Sequence, residues 1–219
     1  MKHALNTGTI GVLAVLFCLA GVTVPSALAQ GREKVAVKKV DVRRDLRTPD
    51  YNGVHADNRA SPMDNWLACV LDYITMNGTG KDSEGKPGWQ DEVTVEWSVL
   101  LRRKDAKPIL MHRSVTYVDL DDRRPNHYAD VYVRPGFIKR YVGGIQKRDV
   151  LVCVQIKIAG RTEALWHERD TEYKDLKWWD WEPPKVEVRD EELLTRDETP
   201  FAPLDYDFFE QVKPKSASK

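Results

Sequence analysis

Trp178, Trp179 and Trp181 form the densest group of side chains in this 219-residue chain that could bind something. Exposed indoles stack on sugar rings or anchor protein interfaces, whereas covered ones serve as core. Farther along, Phe201, Tyr206, Phe208 and Phe209 make a second aromatic group. Disordered tails are depleted in aromatic residues, so this ending must bury its rings, either on its own domain or on a neighbour. Trp178, Trp179, Trp181, Phe201, Tyr206, Phe208 and Phe209 are therefore the candidate partner-binding residues, with at least one tryptophan expected to be core.

Catalytic chemistry has weaker support. His55, His112, His127 and His167 stand far apart, without HExxH or CxxC spacing, so no metal site is predicted. Asp119, Asp121 and Asp122 lack the glycine and distal glutamate of a calcium loop and read as an acidic turn. Ser98 and Ser114 have no nucleophile-elbow context, and no glycine-rich phosphate loop opens a helix. Asn77-Gly78-Thr79 matches a glycosylation sequon, but a hairpin turn accounts for it equally well. No catalytic residue and no cofactor is assigned, and an enzyme is not expected; a secreted hydrolase would require several carboxylates to converge in one cleft.

Residues 1–29 read as an export signal. Lys2 and His3 precede an apolar run from Ile10 to Gly21, Pro25 ends it, and Ala27-Leu28-Ala29 has the small-x-small form of a cleavage site. An uncleaved anchor is the alternative, since no charge occurs between Ala4 and Gln30. Cys18 follows Phe17, which does not suit a lipoprotein site, and cleavage after Gly8 would place Leu13 where a pilin leader needs glutamate. The expected location is the periplasm or the cell exterior, with no transmembrane segment once the signal is removed. The 34 basic and 34 acidic residues balance, which gives no electrostatic reason to expect nucleic acid as a partner.

Positioning falls to strands. Val35 and Val37 then Val40 and Val42 slip phase, as a bulge would make them do, before an irregular stretch over residues 43–64. Residues 65–76 are strongly apolar. Val93, Val95, Trp97, Val99 and Leu101 alternate with polar neighbours, the cleanest period-two pattern in the chain. Residues 109–120, 128–133, 149–158 and 162–169 complete about seven strands, with one short helix over 135–142 closed by Gly143-Gly144. The fold predicted is all-β, an immunoglobulin-like sandwich over residues 30–170, with a small barrel as the alternative. Residues 171–219 form an extended aromatic and charged tail that packs on the domain or on a partner. Cys69 and Cys153 could pair in an oxidising compartment, but their strand phases disagree, which favours two buried thiols.

Thr199-Pro200-Phe201-Ala202-Pro203-Leu204 followed by Asp205-Tyr206-Asp207 resembles the closing motif of a family of pilus-like envelope proteins from Verrucomicrobia. Lys34-Val35, Arg47-Thr48-Pro49, Asn65-Trp66-Leu67, Ser114 to Val118, Arg134-Pro135 and Lys177-Trp178-Trp179 are similar in the same order, over essentially all of the chain behind the leader. Asp205 and Phe208-Phe209 depart from a more tryptophan-rich ending. The genes of that family accompany a type IV pilus-like cluster with a secretin and a PilM-like component. The resemblance implies an immunoglobulin-like fold, no catalytic residues, and a structural or assembly role. The function expected is thus a non-enzymatic exported component of a type IV pilus-like or secretion-type envelope complex. Its partners would be other assembly proteins or further copies of itself, met through strand edges and the aromatic tail. A carbohydrate-binding module using Trp178, Trp179 and Trp181 is the alternative.

Overall fold

A computed structural model describes residues 35–49, 65–75, 88–122, 124, 126–169, 177–204 and 207–214. The leader, the Asn77 sequon, His55 and Tyr206 lie outside the described residues.

Seven long strands carry the fold: β1 (Val35–Leu46), β2 (Trp66–Thr75), β3 (Trp89–Arg103), β4 (Ala106–Asp121), β5 (His127–Val133), β6 (Val150–Ile158) and β7 (Arg161–His167). Three short ones follow in the tail: β8 (Glu187–Val188), β9 (Leu193–Thr195) and β10 (Gln211–Val212). The smaller sheet has the order β1-β2-β5-β9, and the larger β10-β4-β3-β6-β7, with β8 added to β4. The protein is an all-β, immunoglobulin-like two-sheet sandwich.

Strand periodicity explains the layers. On β3 the inward set Val93, Val95, Trp97, Val99 and Leu101 is buried in the inter-sheet core. Val150, Val152, Val154, Ile156 and Ile158 of β6 share that core, as do Leu67, Cys69, Leu71 and Tyr73 of β2 from the facing sheet. Successive side chains on a strand point to opposite faces, so Leu151 and Cys153 must leave by the outer face of the larger sheet. They do, and join a second cluster there. Cys69 and Cys153 are consequently free thiols on opposite sides of one sheet.

The phase slip in β1 is a register shift between Val37 and Lys39 against β2. β1 continues past Val42 to Leu46, because Arg43 still opposes Ala68 and Leu46 opposes Trp66. That corrects the expectation of irregular chain from residue 43. The short helix opens with Pro135 at its first turn as α1 (Pro135–Phe137), widens to a π-type turn over Ile138–Val142, and ends at Gly143 with φ 78°. The left-handed stop suits glycine, which has no Cβ to clash.

Candidate functional site

Each sheet carries an apolar patch on its outer face, and the tail covers both patches. Residues 178–186 lie on the larger sheet, where Trp178, Trp179 and Val186 pack with Leu100, Leu110, Leu151 and Cys153. Trp178 is 1% exposed and Trp179 8%. Their rings meet edge to face at 5.6 Å, and the His167 ring lies 4.8 Å from Trp179. Trp181 is half-buried against the same cluster. Across the molecule, Phe201 and Leu194 cover Trp66, Ala68 and Tyr132 of the smaller sheet. Phe201 stacks on Tyr132 at 5.1 Å and meets Trp66 edge to face at 5.5 Å.

The expectation that these rings serve a partner is corrected at three positions. Trp178, Trp179 and Phe201 fill the chain's own packing, because the alternation of β2, β3, β5 and β6 leaves apolar side chains on the outer faces that need covering. The same burial withdraws the sugar-stacking platform, which would need ring faces open to solvent. Phe208, 44% exposed, stacks on Tyr128 at 3.9 Å. Phe209 is half-buried beneath the Arg196 guanidinium at 3.8 Å. Of the described candidate rings, Phe208 has the greatest fractional exposure, and Leu204 in the same segment is 37% exposed.

Backbone pairing fastens the tail as firmly as the rings do. β8 runs parallel to β4 at Ile109–Leu110, Arg189 N–H donates to Leu110 O at 3.0 Å, and Asp190 Oδ1 accepts from His112 N–H at 2.8 Å. β9 pairs with β5 over Val131–Val133. β10 pairs with Tyr117–Val118, and Lys213 N–H donates to Thr116 O at 2.7 Å. One side of the sandwich, the β4 and β5 side, is thus closed by a C-terminal strap.

Two buried polar anchors hold the strap. Arg196, 9% exposed, donates from Nη1 to Asp130 Oδ2 at 2.6 Å and to Tyr132 OH at 2.7 Å, and from Nη2 to Leu204 O. Burial pushes the Asp130 carboxyl up from its usual range, while Tyr132 and Arg196 hold it down against that trend. Farther along, the fully buried His127 places Nδ1 2.9 Å from Glu210 Oε1 and Nε2 3.3 Å from Thr75 Oγ1. Neither anchor was visible in the sequence, where Asp130, Arg196 and Glu210 are three among 68 charged residues. The one signal available was an acid, Asp130, among the otherwise apolar residues 129–133 of β5.

On the opposite side, β7 is an edge strand among the described residues. β1 and β7 run close to one another there. Glu168 N–H donates to Val152 O at 2.9 Å, so the β6–β7 ladder alternates in a way that turns the backbone groups of Leu165 and His167 away from β6. Among the described residues no strand pairs with that edge. Leu165 is 53% exposed on it. Among the described residues no cluster of His, Cys, Asp or Glu has metal-site geometry, and no helix is long and apolar enough to cross a membrane.

Comparison with known proteins places this architecture. A family model matches residues 26–216, that of proteins like a pilus-associated protein of Akkermansia muciniphila. The chain belongs to that family. A crystal structure of an Akkermansia muciniphila protein has the same fold, with a TM-score of 0.64 and 21% identity, covering 83% of this chain and 94% of that one. No curated protein matches the sequence. The family match takes in the strap as well as the sandwich, so the closing segment around Thr199–Leu204 belongs to the family's domain.

Proposed function

We propose that this protein is a non-enzymatic, exported component of a pilus-like or secretion-type envelope assembly, acting through protein–protein contacts. The observation that carries the reading is the family match over residues 26–216, to a family typified by a pilus-associated protein. The strand edges of the sandwich support it. The strap seals the β4 and β5 edges, where an open row of backbone donors and acceptors would invite unwanted pairing. Among the described residues the β7 edge keeps its row unpaired, beside the exposed Leu165. An extended partner strand would add there by β-augmentation, with backbone hydrogen bonds giving affinity and the side chains around Leu165 giving selectivity. The Phe208 and Leu204 surface is a second contact. Residues 1–29 act in this reading as the cleaved export signal.

The test is capture of the tagged chain from cross-linked envelopes of its native host, with Leu165→Pro beside the wild type. Proline has no N–H to donate, yet at Leu165 that group faces away from β6, so the variant should fold while blocking an added strand. The reading predicts recovery of a secretin or other pilus-like components with the wild type and their loss with the variant. Recovery of the chain with no envelope component would overturn it.

A further inference from the structure

One end of the sandwich carries an excess of bases although the chain as a whole carries 34 bases and 34 acids. Residues 134–149, between β5 and β6, hold five Lys or Arg and one acid; residues 102–107 hold four and one; residues 43–47 hold three and one; the strap segment 187–192, joined to this end by Glu187 on Arg103, holds one and four. The three basic segments are tied together. Arg44 Nη1 donates to Ile145 O at 3.1 Å, and Arg102 Nη1 donates to Arg148 O at 3.2 Å. Val35, paired with Thr75, lies at the other end of β1, so the start of the described chain does not crowd this cap.

Within the cap is an open cleft of about 520 Å³ lined by Trp66, Arg134, Phe137, Arg140, Tyr141 and Glu192. Two guanidinium groups lie over the Tyr141 ring, Arg140 at 5.1 Å and Arg189 at 5.6 Å. Arg189 is neutralised by Glu187 at 2.6 Å and Glu191 at 3.8 Å. Arg134 and Arg140 are exposed and have no carboxylate within ion-pair distance among the described residues. Among the described residues, the cleft therefore sets two cations without an ion-pair partner against one acid, Glu192, over a floor of aromatic rings.

We propose that this cleft seats an acidic segment of a protein partner. Carboxylates would engage Arg134 and Arg140, whose planar forks suit bidentate pairing, and an apolar neighbour would lie against Phe137 and Tyr141. An anionic membrane surface fits less well. The site is lined by aromatic rings and carries Glu192 beside its arginines, whereas a layer of phosphates wants a continuous basic face. The protein nature of the partner rests on the assembly role proposed above; the acidic chemistry rests on the cleft alone.

The experiment is fluorescence anisotropy with a labelled peptide of four glutamates around one phenylalanine, using the exported chain. Its lysine counterpart and phosphatidylglycerol vesicles are measured in parallel. Binding of the acidic peptide is expected, weakened at least tenfold in Arg134→Ala/Arg140→Ala and unchanged in Arg161→Ala, an exposed cation at the far end. Raising the salt to about 1 M, where the screening length falls to roughly 3 Å, should weaken it similarly. No binding, equal binding by the double variant, or a preference for vesicles over peptide would overturn the proposal. Should the peptide fail while the wild type still captures envelope components, the cleft is refuted and the assembly role stands; the reverse pattern refutes the role and keeps the cleft.

Discussion

Arg196 shows how a single residue decides where the tail goes. It is buried, it bonds Asp130 and Tyr132 of the smaller sheet, and it also reaches back to Leu204 O within the strap. Arg196→Ala would leave Asp130 buried without its cation, and breaking such a pair from one side costs about 3–5 kcal/mol. Urea unfolding of the variant should show a loss of that size. The thiols give a second prediction. Burial pushes Cys69 and Cys153 up to about 12, chiefly by removing the thiolate from solvent. A raised thiol pKa keeps the reactive thiolate scarce at every pH below it. Neither cysteine should react with a thiol reagent at neutral or mildly alkaline pH in the folded protein, and both should react once it is unfolded; one fast-reacting native thiol would contradict the packing. Glu187 titrates the other way. Arg189 and Arg103 hold its carboxyl below the ordinary value, so its contribution to stability is present above that value and fades as pH falls through the lowered one. A pH series of melting temperatures for Glu187→Gln against wild type should converge in acid.

Among the elements, those written in period two were legible and those written in tertiary contacts were not. The set from Val93 to Leu101 announced β3, and the opposed phases of Val152 and Cys153 announced that the cysteines could not meet across the core. The slip between Val37 and Val40 announced a bulge. What stayed hidden is that outer faces need cover. Leu100, Leu110 and Leu151 interrupt the polar alternation of β3, β4 and β6, and together they mark a second apolar layer, but only pairing brings them side by side. Trp178 is what covers them. Trp178→Ala would open a cavity there and should cost about 3–5 kcal/mol, whereas Phe208→Ala, at a ring largely in solvent, should cost under about 1 kcal/mol. Chemical unfolding of the two variants checks the contrast. Equal losses would mean that the two aromatic groups play one structural part.

On the scale of the whole molecule, the sandwich is asymmetric in what it leaves open. Its tail wraps both outer faces and seals the β4 and β5 edges, the β7 edge stays unpaired among the described residues, and one end gathers arginine around a cleft. The sequence argued for rings seeking company, and left open whether that company lay in cis or in trans. The aromatic content that forbade a disordered tail could not say which, because a ring is satisfied equally by its own chain or another. In cis, the strap is a load the fold depends on. Removal of residues 199–219 would uncover Trp66 and Tyr132, delete β10 and leave His127 without Glu210. The most direct measurement is the melting temperature and oligomeric state of that truncated chain beside the full one. A clear fall in melting temperature is predicted, with the full-length chain gaining its stability as a monomer; an unchanged melting temperature together with a lost oligomer would show that the tail belongs to a neighbour.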